Sequence, residues 1–507
     1  MATPSSAEHK VKSEYLCEIR KLNLSLSKIM SDFPAIEEEV SVSFPSLDNN
    51  IWVSYPQVEA LIQTRLGNLS TEDVDPVFRP GSSWRRSFFG ITAELILKVF
   101  SSRFRVRSMR KPVRDYGGGA TLCLTYSDFD PLSDKFFERS TYWGPLPGWF
   151  ANDSKFTWVG VGFKKTTTRF KWAKPASTSG TIKLLSRFLF SIPIRIKVWR
   201  RLQVALRREP LFALLRKEFF RGIFGAPALE AYFLKTEFDI LLSQTKPKAV
   251  LIPHENQMWE RILSLECGRK GITLAGVAHT TPKFWDLRFF DFGSFSHLQP
   301  SVFIDNGSSS RELLVASGIS PVRIFSGSAL RFETQPTTKA FAPEKELTLS
   351  GATALLISGG NRRVVKEMTD AVISFDSLKD YSLVFRPHPS MTRWFRKHFH
   401  GKPTDQRKVS LLLSDYDVFI VDSMSSMALE LAAQGAKVCV YLPKSSLNFS
   451  PLASIPNFDA YFKDDRSLCK ILKAPVSSFD MADLMEIVSV KKVWVTLLEG
   501  IESYERN

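Results

Sequence analysis

Two stretches of the sequence decide its fold: LVFRPHP at residues 383–389, and VFIVDSMSSMALELAAQGAKVCVYLP at residues 418–443. Each begins with a short apolar run that is typical of a buried strand, and polar residues follow at once. Ser425 to Gln434 is rich in helix formers, and Gly435 stands where a helix C-cap belongs. Lys437 to Leu442 predicts a third strand. This pattern predicts a parallel sheet with polar loops at the carboxyl ends of its strands, where such sheets bind ligands.

The loops after these strands carry side chains suited to a phosphate site. His388 is held between two prolines, which restricts the directions that its imidazole can take. Ser423, Ser425 and Ser426 precede or open the predicted helix, where free backbone N–H groups and the helix dipole attract an anion. Glu430 lies one turn further along and can reach a ribose or sugar hydroxyl. Each residue alone can equally be a cap or turn residue, but their combination predicts phosphate binding.

The RPHP and DSMSS motifs, with Glu430 behind them, resemble the second domain of GT-B glycosyltransferases that carry a His-Pro motif and a Ser/Thr motif. That branch includes bacterial sialyltransferases, capsule 3-deoxy-manno-octulosonate transferases and CDP-glycerol glycerophosphotransferases. The resemblance implies a CMP- or CDP-linked co-substrate and no other cofactor. The residues implied to hold its phosphate are His388, Ser425, Ser426 and, in a lesser role, Ser423. Arg386 or Arg362 would add positive charge that helps the nucleotide phosphate depart.

A glycine turn adds a second group of donor-site candidates. The sequence predicts a strand at 353–358, then a tight turn, then a helix that begins at Arg362. The residues of the turn are Gly359, Gly360 and Asn361. Glycines there let backbone N–H groups approach a diphosphate or a sugar. Two DxD triplets, at 128–130 and 415–417, are interpreted as chance, because metal binding by DxD belongs to the other main glycosyltransferase fold, so no metal site is predicted.

Earlier in the chain, two predicted strands at 248–253 and 274–277 deliver Glu255 and His279 to neighbouring strand ends. Such a pair can supply a general base to an acceptor hydroxyl that lies within reach. The alternatives are that Glu255 starts the following helix and that His279 is a core histidine. In the functional interpretation Glu255 is the catalytic base, with His279 and Asp286 behind it.

Three further segments resemble a family of bacterial and archaeal surface-carbohydrate biosynthesis proteins associated with O-antigen loci. They are YWGPLP at 142–147, HENQMWERIL at 254–263 and GVAHTTPKFWDLRFF at 276–290. The resemblance spans roughly residues 120–445 and implies a role in O-antigen or capsule assembly. It includes Asp286 and Arg288, which either contact substrate or serve the structure.

The chain has 507 residues with a formal net charge of +16, and one segment carries most of that charge. Residues 164–221 hold 16 Lys and Arg against Glu209 and Glu218. From Ser191 onward the segment predicts an amphipathic helix, although the alternation of Ile192, Ile194, Ile196 and Val198 leaves a strand possible for its first part. Its apolar stripe is Ile194, Val198, Leu202 and Leu206, with Arg195, Arg201 and Arg208 on other faces. A basic amphipathic helix can lie on an anionic membrane. The alternatives are a solvated helix face and nucleic acid, which is disfavoured because no nucleic-acid-binding motif is found.

Other features bear on location. The five cysteines are scattered without a CxxC pair, which is typical of buried thiols in a reducing compartment. The first fifteen residues lack the apolar core of a signal peptide. No run of 18 consecutive apolar residues predicts a transmembrane helix. The protein is therefore expected in the cytoplasm, with peripheral binding to the inner face of the plasma membrane through the basic segment.

These predictions combine into an α/β fold that is GT-B-like, with two facing doubly wound, Rossmann-like domains and a cleft between them. The predicted parts are a helical N-terminal extension with a basic linker (1–115), a first, acceptor-side domain with the basic insertion 164–221 (116–320), a second, nucleotide-donor domain (321–490) and a C-terminal helix (491–507). A short strand at 322–325 is expected to enter the second domain. The C-terminal helix is expected to pack back across the first.

The predicted function is that of a metal-independent glycosyltransferase of surface polysaccharide biosynthesis. It would transfer a sugar or polyol phosphate from a nucleotide-activated donor to a growing glycan or a lipid-linked acceptor. Two alternatives stay open. A nucleotide-sugar epimerase of the UDP-GlcNAc 2-epimerase type shares the two-domain form and a similar His-Pro and Ser-Glu arrangement, although the basic segment argues against it. A catalytically inactive GT-B protein could bind glycan or organise a synthesis complex.

Overall fold

The structure is a computed structural model of the whole chain. It describes residues 5–43, 56–68, 121–126, 140, 142–150, 153, 155–161, 186–279, 284–285, 296–327, 329–330, 351–388, 391–407, 412–444, 446–454, 458, 460–476, 491–502 and 504. Four of the features predicted above lie outside these ranges: Asp286, Arg288, the triplet at 128–130 and the first part of the basic segment, 164–185.

Six parallel strands form the first sheet, in the order β2-β1-β3-β4-β5-β6. Their bounds are β1 Thr121–Tyr126, β2 Phe156–Val161, β3 Ala249–Pro253, β4 Thr273–Val277, β5 Val302–Asp305 and β6 Ile324–Ser326. Both faces are covered, since Leu122 and Val250 belong to one apolar core while their neighbours Cys123 and Leu251 belong to another. A strand buried on both faces needs apolar residues at every position, which explains the unbroken apolar runs that made these strands predictable.

The end of the first sheet differs from the prediction. The strand expected at the entrance to the second domain is β6, and it pairs with β5 in the first sheet. The sheet therefore continues to residue 326 rather than ending near 320. β5 itself was not predicted, because four residues (VFID) are too short a run to separate from a loop.

Helices on the first domain occupy both sides of its sheet. Their bounds are α4 Leu146–Trp149, α5 Ile192–Ala205, α6 Pro210–Phe224, α7 Ala226–Thr245, α8 Met258–Arg269 and α9 Ser308–Ala316. In α5 the predicted stripe is buried at Val198 and Leu202. Arg195 was expected on another face but is fully buried, because it lies one turn before Val198. Its Nε donates to Ser191 Oγ (2.7 Å) and its Nη1 to the Ile223 carbonyl (2.8 Å), which satisfies the buried charge.

Three N-terminal helices pack into the first domain: α1 Ser6–Met30, α2 Glu37–Ser43 and α3 Pro56–Arg65. α1 begins with a capping box, in which the Ser5 and Glu8 side chains each accept the backbone N–H of the other residue. Tyr15 and Leu22 of α1 lie in the same apolar core as Trp199 of α5. The N-terminal extension therefore shares the core of the first domain.

The second sheet has five parallel strands in the order β11-β10-β9-β7-β8. Their bounds are β7 Thr353–Ile357, β8 Ser382–Arg386, β9 Val418–Asp422, β10 Val438–Tyr441 and β11 Tyr461–Phe462. Its helices are α10 Arg362–Ser374, α11 Thr392–His398, α12 Met427–Ala432 and α13 Asp465–Lys473. β11 and α13 fall in a region where no regular structure was predicted, because a two-residue strand leaves no periodic signal.

A C-terminal helix, α14 Lys491–Glu502, returns to the first domain. Its Trp494 is fully buried, and it shares an apolar core with Val277 of β4 and Ile304 of β5. The chain therefore forms the first sheet, then the second, and its last helix packs against the first domain again.

The carboxyl edges of the two sheets face each other. Phe284, which follows β4, lines one cavity together with Leu442 and Lys444, which follow β10. Leu447 and Phe449 of the second domain also join the apolar core of the first. Two parallel α/β sheets with opposed carboxyl edges are the GT-B-like arrangement that the sequence predicted, and this fold class is confirmed.

All five cysteines are free thiols. Cys123, Cys267 and Cys439 are buried as predicted, but Cys17 is exposed on α1. Among the described helices, none combines the length and hydropathy that crossing a bilayer requires.

Gly144 provides a test of this packing. Its φ is +51°, and a Cβ there would lie 2.0 Å from the Leu330 carbonyl oxygen. We expect Gly144→Ala to lower the free energy of unfolding by roughly 1–2 kcal/mol for the left-handed backbone and by about 1–3 kcal/mol more for the overlap. Gly318→Ala is the matched control, because its φ is +92° and no atom lies within 4 Å of the added Cβ. Urea titrations compare the two variants, and equal losses would contradict the packing described.

Candidate functional site

An acid–base pair lies at the carboxyl edge of the first sheet. Glu255 follows β3 and His279 follows β4, and these strands are neighbours. Glu255 Oε1 is 3.1 Å from His279 Nε2. The histidine side chain is 2% exposed and that of the glutamate is 19% exposed, so the glutamate is the member that a substrate can reach. The predicted convergence of these two residues is therefore observed.

The start of α8 fixes the position of Glu255. The Glu260 carboxylate, buried within the helix, accepts the backbone N–H groups of Glu255 (2.9 Å) and Gln257 (3.2 Å). Asn256 between them has φ +57°, a left-handed conformation that asparagine tolerates better than most residues. Gln257 Nε2 donates to Glu255 Oε2 (2.8 Å). Glu255 is therefore not the residue that caps α8. The capping residues are Gln257 and Glu260.

Aromatic and cationic groups surround the pair. The Tyr142 ring packs against that of His279, with centroids 5.1 Å apart. Arg261 donates from Nε to Asn256 Oδ1 (2.9 Å), and burial lowers the pKa of Arg261 to about 10. His279 Nδ1 is buried and has no hydrogen-bond partner within the described residues. With Nε2 toward the carboxylate, Nδ1 is left as the second nitrogen that could accept a proton.

At the carboxyl edge of the second sheet, one buried carboxylate holds two loops together. Asp422 Oδ2 accepts the backbone N–H of Gly359 and its Oδ1 accepts that of Met424, both at 2.9 Å. A Cβ at Gly359 would lie 2.6 Å from the same carboxylate, which explains the glycine. The Ser358 N–H donates to the Arg386 carbonyl (3.2 Å), so the end of β7 is also joined to the end of β8.

Two serine hydroxyls are buried at this edge. Ser358 is 6% exposed and Ser423 is fully buried. Neither Oγ has a hydrogen-bond partner within the described residues. Because β7 and β9 are neighbours, with Ile357 opposite Val421, these two residues follow adjacent strand ends. Buried hydroxyls without partners are unusual, and they mark a place where a polar ligand can be bound. Ser423 was predicted from sequence, whereas Ser358 was not.

The helix after β9 is shorter than predicted. It spans Met427–Ala432 instead of Ser425–Gln434, because Ser425 N–H donates to the Asp422 carbonyl (2.9 Å) in a turn that precedes it. Ser425 Oγ accepts the Met427 N–H at 3.3 Å, as a capping residue does. The Ser426 side chain makes no cap bond and is half-buried. Six residues give a weak dipole, so the hydroxyls contribute more to this loop than the helix does.

His388 and the serines do not follow neighbouring strands. β7 lies between β8 and β9, so roughly 10 Å separates the ends of those two strands. His388 is exposed on one side of the glycine turn, and the serine loop lies on the other. A ligand that contacts both must extend across Gly359 and Gly360, as a diphosphate with its sugar can.

The other predicted donor-site residues have mixed positions. Asn361 caps α10 by accepting the Arg363 N–H on Oδ1 (3.0 Å), and Arg362 is exposed in the first turn. Glu430 is 9% exposed. Arg386 Nη1 donates to the Arg407 and Asp405 carbonyls, and burial lowers its pKa. Arg386 thus anchors the loop before β9, which leaves Arg362 as the better placed of the two arginines.

Both aspartates of the second DxD triplet bind groups within the protein. Asp415 pairs with Arg407 (2.8 Å), and Asp417 Oδ2 accepts the Thr353 N–H (2.8 Å) at the amino end of β7. Among the described residues, no three His, Cys, Asp or Glu side chains are arranged to hold a metal ion.

A scan against protein-family models finds no match to the sequence, and a search of curated proteins finds none either. Several solved structures match in part. The UDP-N-acetylglucosamine 2-epimerase from Rickettsia bellii is 12% identical with a TM-score of 0.43, over 76% of this chain and 97% of that one. The Methanocaldococcus jannaschii UDP-GlcNAc 2-epimerase is 14% identical with a TM-score of 0.40, over 54% and 82%. The lipopolysaccharide outer core galactosyltransferase WaaB is 12% identical with a TM-score of 0.33, over 54% and 80%. Similarity at this level identifies neither a substrate nor a reaction for this chain.

The role of Asp422 can be tested without a ligand. Asp422→Asn leaves one buried backbone N–H facing an amide N–H₂, so we expect a loss of about 1–3 kcal/mol in unfolding free energy. Amide hydrogen exchange should become faster at Gly359 and Met424. Asp417→Asn is the matched control, because only one oxygen of Asp417 accepts hydrogen bonds from Thr353 at the opposite edge, and the amide oxygen of asparagine can take its place. Unchanged exchange at Gly359 in Asp422→Asn would show that the carboxylate does not hold the turn.

Proposed function

We propose that this chain is a glycosyltransferase-like enzyme of surface polysaccharide biosynthesis. It would transfer a sugar or polyol phosphate from a CMP- or CDP-linked donor to a glycan or a lipid-linked acceptor. The observation that supports it best is the Glu255–His279 pair, whose atoms lie 3.1 Å apart at one sheet edge. That edge faces the loops of the second sheet, where an anion can bind.

The second sheet offers donors and positive charge for a nucleotide phosphate. The hydroxyls of Ser358 and Ser423 are neutral donors, whereas the Gly359 N–H already donates to Asp422. Arg362 and His388 are both exposed, one on either side of the glycine turn. The arginine carries a positive charge, and the histidine can accept one. The Asp422 carboxylate, buried at this edge, already accepts two backbone N–H groups, which offsets its repulsion of a phosphate.

The reaction follows from this division of roles. Glu255 takes the proton of the acceptor hydroxyl while that oxygen forms a bond to the transferred carbon or phosphorus. The bond to the nucleotide phosphate oxygen breaks, and its electron pair leaves with the nucleotide, held by the donor groups of the second sheet. His279 orients the carboxylate and can share the proton. Each oxygen of Glu255 has two lone pairs, so the bonds to His279 and Gln257 leave it able to accept one more proton.

Removing the base tests the proposal. We expect Glu255→Gln to keep the hydrogen bond to Gln257 but to lower transfer by roughly 10²–10⁴-fold, with nucleotide binding unchanged. The assay uses cell-derived acceptor with CMP-, CDP-, UDP- and GDP-linked donors. Full transfer by the variant would show that Glu255 is not the base, whereas no transfer by the unaltered chain with any of these donors would leave only a glycan-binding scaffold. Sugar released in altered configuration without any acceptor would instead indicate the epimerase.

The donor site is tested by binding alone. We expect CMP or CDP to raise the thermal midpoint of the chain more than UDP or GDP does, and His388→Ala to abolish the rise. His400→Ala is the matched control, since it is also an exposed histidine of the second domain. Equal loss in both variants, or no response to any nucleotide, would contradict the proposed site.

The basic segment supports a membrane as partner, and we define its membrane face by the exposed residues around α5. They are Leu189, Phe190, Ile196, Lys197, Arg200, Val204 and Arg207. Within α5, Ile196, Arg200 and Val204 recur every four positions and Lys197 is next to Ile196, so these four lie on one side of the helix. Arg207 follows just after the helix. Phe190 is 83% and Val204 80% exposed, which is unusual for large apolar side chains.

An anionic bilayer fits this face. No Asp or Glu occurs between residues 186 and 208. Each basic side chain contributes about 1 kcal/mol near an anionic leaflet, and the apolar side chains can insert among the headgroups. A lipid-linked acceptor would then be delivered to the same surface.

Vesicle binding tests the membrane face. We expect binding to vesicles with 30% phosphatidylglycerol, about tenfold weaker binding to phosphatidylcholine alone, and loss in 0.5 M salt, all as order-of-magnitude expectations. Phe190→Ser with Val204→Ser should weaken binding, as should Arg200→Glu with Arg207→Glu. The matched controls are Val322→Ser, at a valine that is 77% exposed outside the membrane face, and Arg396→Glu on α11. Preference for duplex nucleic acid over anionic vesicles would overturn the assignment.

A further inference from the structure

The cavity lined by Phe284, Leu442 and Lys444 lies beside the donor loops, between the N-terminal helices and the second domain. Its volume is about 710 Å³, within the roughly 300–1,000 Å³ of small-molecule sites. Its walls are the start of α1, the end of α3, Phe284 and the loops that follow β10 and β11. β10 is the neighbour of β9, so its end lies about 5 Å from the serine loop.

Buried hydrogen bonds hold the wall between α3 and the second domain. Glu59 accepts the Ser446 hydroxyl and the Leu447 N–H (3.1 Å), and Gln63 Nε2 donates to the Ser446 carbonyl. Glu59 and Gln63 are each 2% exposed. The cavity is therefore pre-formed by contacts between segments far apart in the chain, which lowers the cost of binding a ligand there.

The acidic and basic residues that line the cavity differ in whether their side chains already have partners in the protein. Glu8 and Asp464 both serve as helix-capping groups, and hydrogen bonds from Ser467 lower the pKa of Asp464. Lys444 and Lys463 are exposed at the same cavity, and neither ammonium makes an ion pair or hydrogen bond with the described residues. Two exposed lysines therefore line a space whose carboxylates already accept hydrogen bonds.

The rest of the lining is suited to a sugar ring. Phe284 and Tyr461 offer aromatic surface, and Leu66 and Leu442 offer aliphatic surface. Sugar C–H groups pack on such surface, while a carboxylate or phosphate on the ring is the natural partner of a lysine. A neutral ligand would leave both ammonium groups unmatched.

We infer that this cavity binds an anionic sugar unit, one that carries a carboxylate or a phosphate, as part of the acceptor glycan. That the sugar belongs to the acceptor rests on the proposed function, whereas the binding of an anionic sugar does not. The N-terminal helices thereby gain a role in substrate selection. They supply one wall of a subsite that the two sheets alone do not form.

Titration calorimetry on the full chain tests the site with glucuronate, N-acetylneuraminate, glucose 6-phosphate, glucose and inorganic phosphate as probes. We expect at least one sugar acid or sugar phosphate to bind roughly tenfold or more tightly than glucose or inorganic phosphate. Comparison of the carboxylate and phosphate probes identifies which anion the lysines select.

The double variant Lys444→Gln, Lys463→Gln should bind the sugar acid or sugar phosphate about tenfold more weakly, so that its preference over glucose is lost. Lys473→Gln is the matched control, because it is an exposed lysine at the end of α13, whereas Lys463 lies just before the start of that helix. Asn68→Trp, at the exposed rim, should block the sugar while the lysines remain. Binding of inorganic phosphate as tight as that of any sugar, or equal effects of the cavity and control lysines, would overturn the inference. CMP and CDP binding is measured in the same variants. It stays intact if only the cavity assignment is wrong. It is absent from every variant and from the unaltered chain if the proposed donor site is wrong.

Discussion

The carboxylate of Asp422 is fully buried at the end of β9, and the arrangement of the donor loops depends on it. A buried carboxylate is costly unless its oxygens are satisfied. Here the donors are backbone N–H groups of Gly359 and Met424, which belong to loops after two neighbouring strands. The need to satisfy one charge therefore sets the distance between the glycine turn and the serine loop. It also requires a glycine at 359, since a side chain would occupy the space of the carboxylate.

The two sheets carry complementary chemistry. The first presents a carboxylate with a histidine, which can accept a proton, while the second presents hydroxyls, N–H groups and a cation, which can bind an anion. Placing both functions on one strand edge would put Glu255 beside a phosphate, and the repulsion between two anions would weaken binding. Under the proposed function, two opposed sheets keep the proton acceptor apart from the anion site. The fold thus solves an electrostatic problem that a single sheet would create.

Much of this could be predicted, because buried parallel strands are apolar at every position and their polar loops follow directly. The pairing of Glu255 with His279 followed from two such strands in succession. Strand order could not be read in the same way. β7 lies between β8 and β9, although it precedes both in the chain, so His388 and the serines flank the glycine turn. Glu59 was also missed, since its partner Ser446 is 387 residues away and no local pattern records such a contact.

That distant contact limits how the cleft can move. Burial raises the pKa of Glu59, and its carboxylate is satisfied only while α3 stays against the loop after β10. Leaving a buried carboxylate without its hydrogen-bond donors costs roughly 1–3 kcal/mol, and more when the group is charged, so this contact opposes separation of α3 from the loop after β10. Under the proposed function, a nucleotide would therefore enter on the β8 side, past the exposed His388, while the cavity beside β10 and β11 keeps its shape.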